Sequence, residues 1–337
     1  DGVPAAWEAL PALPATRARP AAVWTGSQLV TVGGETNFGG RNHRNTFVLP
    51  ADDDGWECAE AAPFEAGSED AVWTGEHLLL YGNEQAAAYD PATGTWQALP
   101  PPPVDAPHEP FANVWSGDEW IIWGTTSRRF AHNRGVAFDP ASGQWRDIAP
   151  APLVLDQGNG VWTGDELVVF GADLDGNNRS NTPTAVGAAY DPVSDNWRRL
   201  PPVDLTPQAA GVARTAEGAV LGYDYDTRAA LYHPDENRWE ELEQVPVVFG
   251  ECYPRNATLG DGSVFLWYCG QAAVFNPTTK TFDEIETPIT THWGRPAAEG
   301  EVEMIDGTLV ATDEAVYLIG SAHEGHSRTT WRWQRPN

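Results

Sequence analysis

Residues 139–145 read Asp-Pro-Ala-Ser-Gly-Gln-Trp, and this short stretch decides the fold because it belongs to a series. A polar residue, a proline, a short turn and an aromatic residue recur, with the polar and aromatic positions six apart in every copy. The five copies begin at Asp90, Asp139, Asp191, His233 and Asn276 and end at Trp96, Trp145, Trp197, Trp239 and Phe282. Repetition at a fixed period indicates an architecture built from one repeated supersecondary unit.

A second signature precedes the first. Valine, tryptophan, a hydroxyl residue and glycine occupy residues 23–26, 72–75, 114–117 and 161–164, each followed by an apolar run that ends in glycine. One unit therefore reads as a strand, a glycine turn, a second strand, a variable loop, a third strand ending at proline and a fourth strand carrying tryptophan. Four antiparallel strands at a period of about 40 to 52 residues predict a β-propeller blade.

The aromatic residues of the fourth strands count the blades. Seven positions qualify: Trp7, Trp56, Trp96, Trp145, Trp197, Trp239 and Phe282. No strands precede Trp7, and the strand from Thr329 to Pro336 has no strand after it. The N-terminal strand is therefore expected to complete the last blade and close the ring, which removes exposed sheet edges. In the alternative register Trp331 is on the fourth strand and Trp7 is an extra. Both registers predict one all-β, seven-bladed propeller domain over residues 1–337.

These two signatures resemble the bacterial kelch-like repeat family over nearly the whole chain. The double glycine of that family survives only as Gly33-Gly34. The resemblance implies a propeller. Relatives of this kind include copper radical oxidases, which need a cysteine beside tyrosines and two histidines. Cys58 falls in an outer strand next to Trp56, where we expect a buried, free thiol. That oxidase activity is therefore disfavoured.

Composition limits the partners. The chain carries 48 acidic and 20 basic residues, a formal charge of −28. Nucleic acid needs a basic face, and anionic membranes attract basic segments, so neither is expected as a partner. No apolar run is long enough to insert into a bilayer. The chain begins at Asp1 and its only methionine is Met304, which favours removal of an export signal and an extracellular, periplasmic or cell-surface location.

Three cysteines permit one disulfide bond. Cys252 precedes the first strand of the sixth blade and Cys269 ends its second strand, so both reach the same rim. We therefore predict a bond between them.

The functional face is predicted from the distribution of arginine and histidine. In propellers the loops between blades and those joining second to third strands share one face, and such loops usually carry function. That face holds 12 of the 19 arginines and six of the eight histidines, which suits an acidic small molecule, glycan or protein loop. The candidate ligand-binding residues are Arg41, His43, Arg44, Arg128, Arg129, His132, Arg134, Tyr253, Arg255, His292, Trp293, Arg295, His326 and Arg328. The oligomeric state stays open.

Some of these residues have a structural alternative. Five arginines precede a third strand and are therefore also expected to stabilise the blade by binding a nearby carboxylate or carbonyl. They are Arg44, Arg134, Arg179, Arg228 and Arg328. Trp293 and Tyr253 suit stacking on a sugar or aromatic ring. Trp293 equally suits filling a gap between the sixth and seventh blades.

Two other functions stay open. An enzyme acting on acidic sugars, a polysaccharide lyase or a sialic-acid-type epimerase, would use Arg255 and Arg295 to neutralise a carboxylate. Tyr253 or His292 would then abstract the adjacent proton. A structural interaction scaffold is the third alternative.

One stretch of the sequence has the spacing of a metal site. Asp173, Asp175 and Asn177 have the alternate spacing of a calcium loop. A solvated loop is favoured because no bidentate glutamate follows. No cofactor is expected, with calcium as the alternative.

Overall fold

A computed structural model describes residues 6–36, 42–52, 55–67, 70–82, 84–126, 132–173, 184–206, 211–215, 218–247, 254–268, 270–288, 307–320 and 328–336. The chain divides into two compact units. The first comprises residues 1–98, 247–275 and 283–337, and the second comprises residues 99–246 and 276–282. Within the described ranges the elements are strands, and no helix there is long and apolar enough to cross a membrane.

In this described part, 28 strands form seven four-stranded antiparallel sheets, the blades of an all-β seven-bladed propeller. Blade 1 is β2 (Ala21–Trp24), β3 (Gln28–Val32), β4 (Thr46–Pro50) and β5 (Glu57–Ala59). Blade 2 is β6 (Ala71–Trp73), β7 (Leu78–Gly82), β8 (Gln85–Asp90) and β9 (Thr95–Ala98). Blade 6 is β22 (Arg255–Thr258), β23 (Val264–Tyr268), β24 (Gln271–Asn276) and β25 (Thr281–Ile285). Blade 7 is β26 (Thr308–Ala311), β27 (Ala315–Ile319), β28 (Thr330–Gln334) and β1 (Trp7–Leu10).

The second unit holds blades 3 to 5. Blade 3 is β10 (Glu109–Trp115), β11 (Trp120–Thr125), β12 (Asn133–Asp139) and β13 (Gln144–Asp147). Blade 4 is β14 (Leu155–Trp162), β15 (Leu167–Asp173), β16 (Val186–Asp191) and β17 (Asn196–Arg199). Blade 5 is β18 (Gly211–Arg214), β19 (Val220–Tyr223), β20 (Ala229–His233) and β21 (Arg238–Glu241).

The two chain ends share blade 7. Strand β1 pairs with β28, so that Trp7 lies opposite Trp333 and Ala9 lies opposite Trp331. The order β1-β28-β27-β26 makes the N-terminal strand the fourth strand of this blade. The predicted completion of the last blade by the Trp7 strand is confirmed. The alternative register is wrong, because Trp331 lies on the third strand.

The middle strands form the core and the fourth strands face solvent. All six residues of β11 are buried, whereas three of the four residues of β9 are exposed. Strands packed on both faces are apolar along their whole length, which explains the runs that end in glycine.

Cys58, on the outer strand β5, is free but exposed. The prediction that it is buried was wrong, because β5 is the outermost strand of its sheet and no strand of the described residues pairs with its outer edge.

The repeated proline turn has one conformational requirement. The residue four positions after its first polar residue adopts positive φ in all five copies: 70° at Gly94, 68° at Gly143, 49° at Asp195, 48° at Asn237 and 59° at Lys280. The first aspartate caps the turn, as when Asp90 Oδ1 accepts from the Ala92 amide at 2.8 Å. Asx turns of this kind reverse the chain between the third and fourth strands.

In six of the seven blades the repeated tryptophan is hydrogen-bonded to the linker that leaves the preceding blade. In every case the indole Nε1 donates to a backbone carbonyl, over 2.7 to 3.1 Å. The pairs are Trp7 with Glu286, Trp56 with Pro11, Trp96 with Glu60, Trp145 with Pro100, Trp197 with Ala149 and Trp239 with Pro201. The side chain of Phe282 has no N–H group, so blade 6 lacks this bond.

Candidate functional site

Linkers and second-to-third-strand connections meet on one face within each unit. In the first unit the Leu13 amide donates to the Arg328 carbonyl at 2.8 Å, and the Ala66 amide donates to that of His43 at 3.1 Å. In the second unit the Ala185 amide donates to Leu205 at 2.7 Å. We call this surface the linker face. His43, Arg44, His132, Arg134 and Arg328 all lie on it.

Arg134 is neutralised by two carboxylates. Its Nη1 lies 3.1 Å from Asp105 and its Nη2 lies 2.8 Å from Asp147. Asp105 belongs to the linker that enters blade 3, and Asp147 ends the fourth strand of that blade. Arg134 therefore braces its own blade, as the structural alternative predicts.

Arg228 is held by three aspartates at the equivalent position of blade 5. Its guanidinium lies 3.0 Å from Asp224, 2.8 Å from Asp204 and 3.5 Å from Asp226. The side chain of Asp224 is fully buried and also accepts the Thr206 amide at 2.7 Å. A buried carboxylate needs such partners, so this arginine is structural.

Arg44 and Arg328 occupy the same repeat position but bind carbonyls instead. Arg44 Nη1 donates to the Pro63 carbonyl at 3.4 Å, and Arg328 Nε donates to the Leu13 carbonyl. Both residues are exposed. Among the residues that the structure describes, neither has a carboxylate partner. Their positive charges are therefore not neutralised by these contacts.

Arg17 is a buried cation that contacts Asn45, the residue after Arg44 in the chain. It is 7% exposed, its Nη1 donates to the Thr16 carbonyl and its Nη2 to Asn45 Oδ1, both at 2.6 Å. Its Nε has no partner, and its guanidinium lies 6.0 Å from the centroid of the Phe47 ring. Burial lowers its pKa from the usual value for arginine. No carboxylate of the described ranges pairs with it. Arg17 is one of the 12 arginines that the sequence analysis assigns to this face, but no motif or repeat position distinguishes it from the others.

Two of the predicted residues meet in a cavity on blade 1. The cavity has a volume of about 280 Å³ and is lined by Asn42, His43, Arg44, Asn45, Ala61 and Glu65. His43 is held by Thr36, whose Oγ1 lies 2.6 Å from His43 Nε2. Asn42 Oδ1 is buried and has no hydrogen-bond partner. The cavity therefore offers the cation of Arg44, the amide groups of two asparagines and the carboxylate of Glu65.

A larger cavity occupies the corresponding place on blade 3. It has a volume of about 460 Å³, and His132 and Arg134 line it together with Asp105 and Asp147. Because the two aspartates neutralise Arg134, this cavity suits an anion less well than the one on blade 1.

The remaining predicted site residues fall into two groups: one is described but lines neither cavity, and the others lie outside the described residues. Arg255 is described as the half-buried first residue of β22, opposite Trp267, and lines neither cavity. The predictions for Arg41, Arg128, Arg129, Tyr253, His292, Trp293, Arg295 and His326 lie outside the described residues, as do Arg179, the Cys252–Cys269 disulfide, Asp175 and Asn177. Asp173 ends β15, and within the described part no cluster of three potential metal ligands occurs.

Comparisons with known proteins identify the fold. No family model and no curated protein matches the sequence. A fungal alcohol oxidase in complex with copper superposes with a TM-score of 0.66 at 13% identity, covering 98% of this chain and 76% of the oxidase. A catalytically inactive virginiamycin B lyase from Staphylococcus aureus with quinupristin superposes with a TM-score of 0.65 at 9% identity, covering 98% of this chain and 99% of the lyase. At these identities the likeness concerns the propeller fold alone.

Proposed function

We propose that this chain is a kelch-like propeller, located outside the cytoplasm, that binds an acidic ligand on the linker face of its first unit. The ligand is a small molecule, a glycan or a loop of another protein. The proposed binding residues are the exposed arginines Arg44 and Arg328, which we call the basic patch. A propeller scaffold suits both binding modules and enzymes, so the proposal rests on the patch rather than on the fold.

One observation carries the proposal. The same repeat position is neutralised by aspartates at Arg134 and Arg228 but bonded only to carbonyls at Arg44 and Arg328. A guanidinium that donates one hydrogen bond to a carbonyl keeps most of its five N–H groups available for a ligand. Exposed guanidinium groups suit carboxylate, sulfate or phosphate ligands. In a chain of charge −28, unneutralised cations on one face favour an anionic partner.

The test is a binding panel of matched acidic and neutral probes. Oligogalacturonate is compared with neutral galacto-oligosaccharide, sialyllactose with lactose, and hexaglutamate with hexaglutamine, by isothermal titration calorimetry. We expect an acidic member to bind and its affinity to fall with salt, because exposed charges are screened beyond about 8 Å at physiological ionic strength.

The decisive variant is Arg44→Gln with Arg328→Gln, which retains a donor for each carbonyl and removes both charges. Each lost charge-assisted contact should cost about 1.5–3 kcal/mol, at least a tenfold loss of affinity. Arg199→Gln is the control, because Arg199 also donates to a carbonyl, that of Pro152, at 2.6 Å. Equal binding of a neutral probe, or full affinity in the double variant, would contradict the proposal. Product analysis of the same incubations detects the lyase or epimerase alternative.

A further inference from the structure

We infer that the cavity on blade 1 binds a sugar acid, a carboxylate flanked by hydroxyl groups, and that Arg17 positions Asn45 to recognise the carboxylate. This inference rests on the proposed function and assigns one ligand class to one cavity. The residues that carry it are Asn42, Arg44 and Asn45 on the cavity wall and Arg17 behind it.

Arg17 determines which end of the Asn45 amide faces the cavity. A guanidinium is donor-only, so the atom of Asn45 that it contacts at 2.6 Å must be the oxygen. The amide nitrogen, with its two N–H donors, is then the end available to a ligand. Within the described residues no partner takes these donors.

The buried Arg17 restrains the exposed Asn45 side chain. Arg17 is 7% exposed and lies against Phe47, while its other terminal nitrogen is fixed by the Thr16 carbonyl. The Asn45 carbonyl accepts the Gly33 amide at 2.9 Å, which fixes the backbone as well. A donor held in place on both sides loses little conformational freedom when it binds a ligand.

Arg44 is the second residue of the cavity that can bind the carboxylate. Arg44 lines the same cavity, is exposed and has only the Pro63 carbonyl as a partner among the described residues. An arginine fork together with an amide N–H can hold both oxygens of one carboxylate.

Asn42 adds the requirement for hydroxyl groups. Asn42 lines the cavity and its buried Oδ1 has no hydrogen-bond partner, so a rotation of this amide toward the cavity would let a ligand hydroxyl supply the missing hydrogen bond. The Glu65 side chain on the same wall also carries acceptor oxygens. A simple carboxylate has nothing to donate to these oxygens, whereas a sugar acid has several hydroxyl groups. The volume of about 280 Å³ is of monosaccharide size.

The experiment uses D-galacturonate, D-galactose and cyclohexanecarboxylate as probes, with binding followed by ligand-observed NMR and calorimetry. The intact protein should bind galacturonate about tenfold or more tightly than either of the other two, since each lacks one half of the recognition. Equal binding of galactose would overturn the carboxylate assignment. Equal binding of cyclohexanecarboxylate would overturn the hydroxyl assignment.

Asn45→Asp is the diagnostic variant, because it changes one atom type and preserves the shape. The new carboxylate pairs with buried Arg17, so the melting temperature should rise. The same change replaces the donor with a negative charge that faces the ligand, so galacturonate binding should be lost. Unchanged galacturonate affinity in Asn45→Asp would overturn the inference.

The outcome separates this inference from the proposed function. Should Arg44→Gln with Arg328→Gln weaken galacturonate binding while Asn45→Asp does not, the basic patch binds acids but this cavity does not. Arg17→Met gives a second readout. It leaves Asn45 free to rotate, and galacturonate affinity should fall while the protein stays folded by circular dichroism. Full affinity in Arg17→Met would show that Arg17 has no positioning role.

Discussion

Trp197 in blade 4 donates its indole N–H to the Ala149 carbonyl, in the linker that leaves blade 3, over 2.7 Å. The hydrogen bond joins residues 48 apart in sequence, and five other blades have an equivalent bond. The accepting residues are half-buried or exposed, so each bond is expected to make the modest net contribution of a partly solvated hydrogen bond. The tryptophan of the repeat therefore links neighbouring blades in addition to packing between them.

Replacing Trp197 by phenylalanine should destabilise the protein by about 0.5–1.5 kcal/mol, because the half-buried Ala149 carbonyl loses its donor. The free energy of unfolding in urea measures this change. Trp73→Phe is the matched control, since Trp73 is half-buried and its indole has no hydrogen bond to a described residue. Equal losses in the two variants would show that aromatic packing alone explains the repeat.

The glycine that follows the apolar run of the second strand is required in some blades and not in others. A Cβ on Gly171 would lie 2.0 Å from the Gln157 carbonyl oxygen, whereas on Gly82 the nearest atom would be 3.4 Å away. Gly171→Ala should therefore force a backbone shift and cost about 1–3 kcal/mol, as overpacking typically does. Gly82→Ala should leave the melting temperature nearly unchanged. Differential scanning calorimetry of both variants checks this, and equal melting temperatures would contradict it.

Asp195 should make the stability depend on pH. Its Oδ1 accepts from Tyr190 Oη at 2.7 Å and from the Ala149 amide at 2.9 Å, and Arg146 lies 3.6 Å away. The hydrogen bond from Tyr190 is the main cause that lowers the pKa of Asp195, followed by the bond from Ala149. Because the folded-state pKa is depressed, the stabilisation is present above the unfolded pKa of about 3.9 and is lost as the pH falls through the folded value.

Asp195→Asn isolates this effect. Asparagine tolerates the φ of 49° at this position and keeps the acceptor, as Asn237 does in the next blade, where it accepts from Tyr232 at 2.8 Å. The wild type should be the more stable protein at pH 6, and the difference should shrink as the pH falls below about 4. Urea unfolding across this range measures it. A difference that is constant with pH would contradict the assignment.

Local periodicity was sufficient to predict the fold from the sequence. The spacing from Asp139 to Trp145 fixes a turn and a fourth strand, and the unmatched strand at Trp7 predicts the completion of blade 7. Pairing in three dimensions was harder to predict. Whether Arg134 meets Asp105 and Arg44 meets only a carbonyl depends on the paths of linkers, and no repeat encodes these paths. Cys58 shows the same limit, because burial at a blade edge depends on what lies beyond it.

Blade 3 offers a gain-of-function test of the proposed binding chemistry. Its cavity of about 460 Å³ contains His132 and an arginine at the repeat position of Arg44, but Asp105 and Asp147 occupy the guanidinium of Arg134. Asp105→Asn with Asp147→Asn removes both charges and retains the side-chain shapes. If neutralisation by aspartate is what distinguishes the two cavities, this variant should acquire an additional site for D-galacturonate. Its affinity should fall with salt, because the site depends on charge.

The control must raise the net charge equally. Asp118→Asn with Asp165→Asn does so in two exposed first-to-second-strand turns, away from the linker face. Calorimetric stoichiometry distinguishes a new site from a general electrostatic gain, since only the first variant should bind more galacturonate per chain. An unchanged stoichiometry in the Asp105 and Asp147 variant, with the fold intact by circular dichroism, would show that free charge at this repeat position does not suffice. Recognition on blade 1 would then depend on the amides of Asn42 and Asn45. The blade 3 cavity has one amide side chain among its lining residues, Asn133, and both ends of that amide are hydrogen-bonded to the backbone of Leu155.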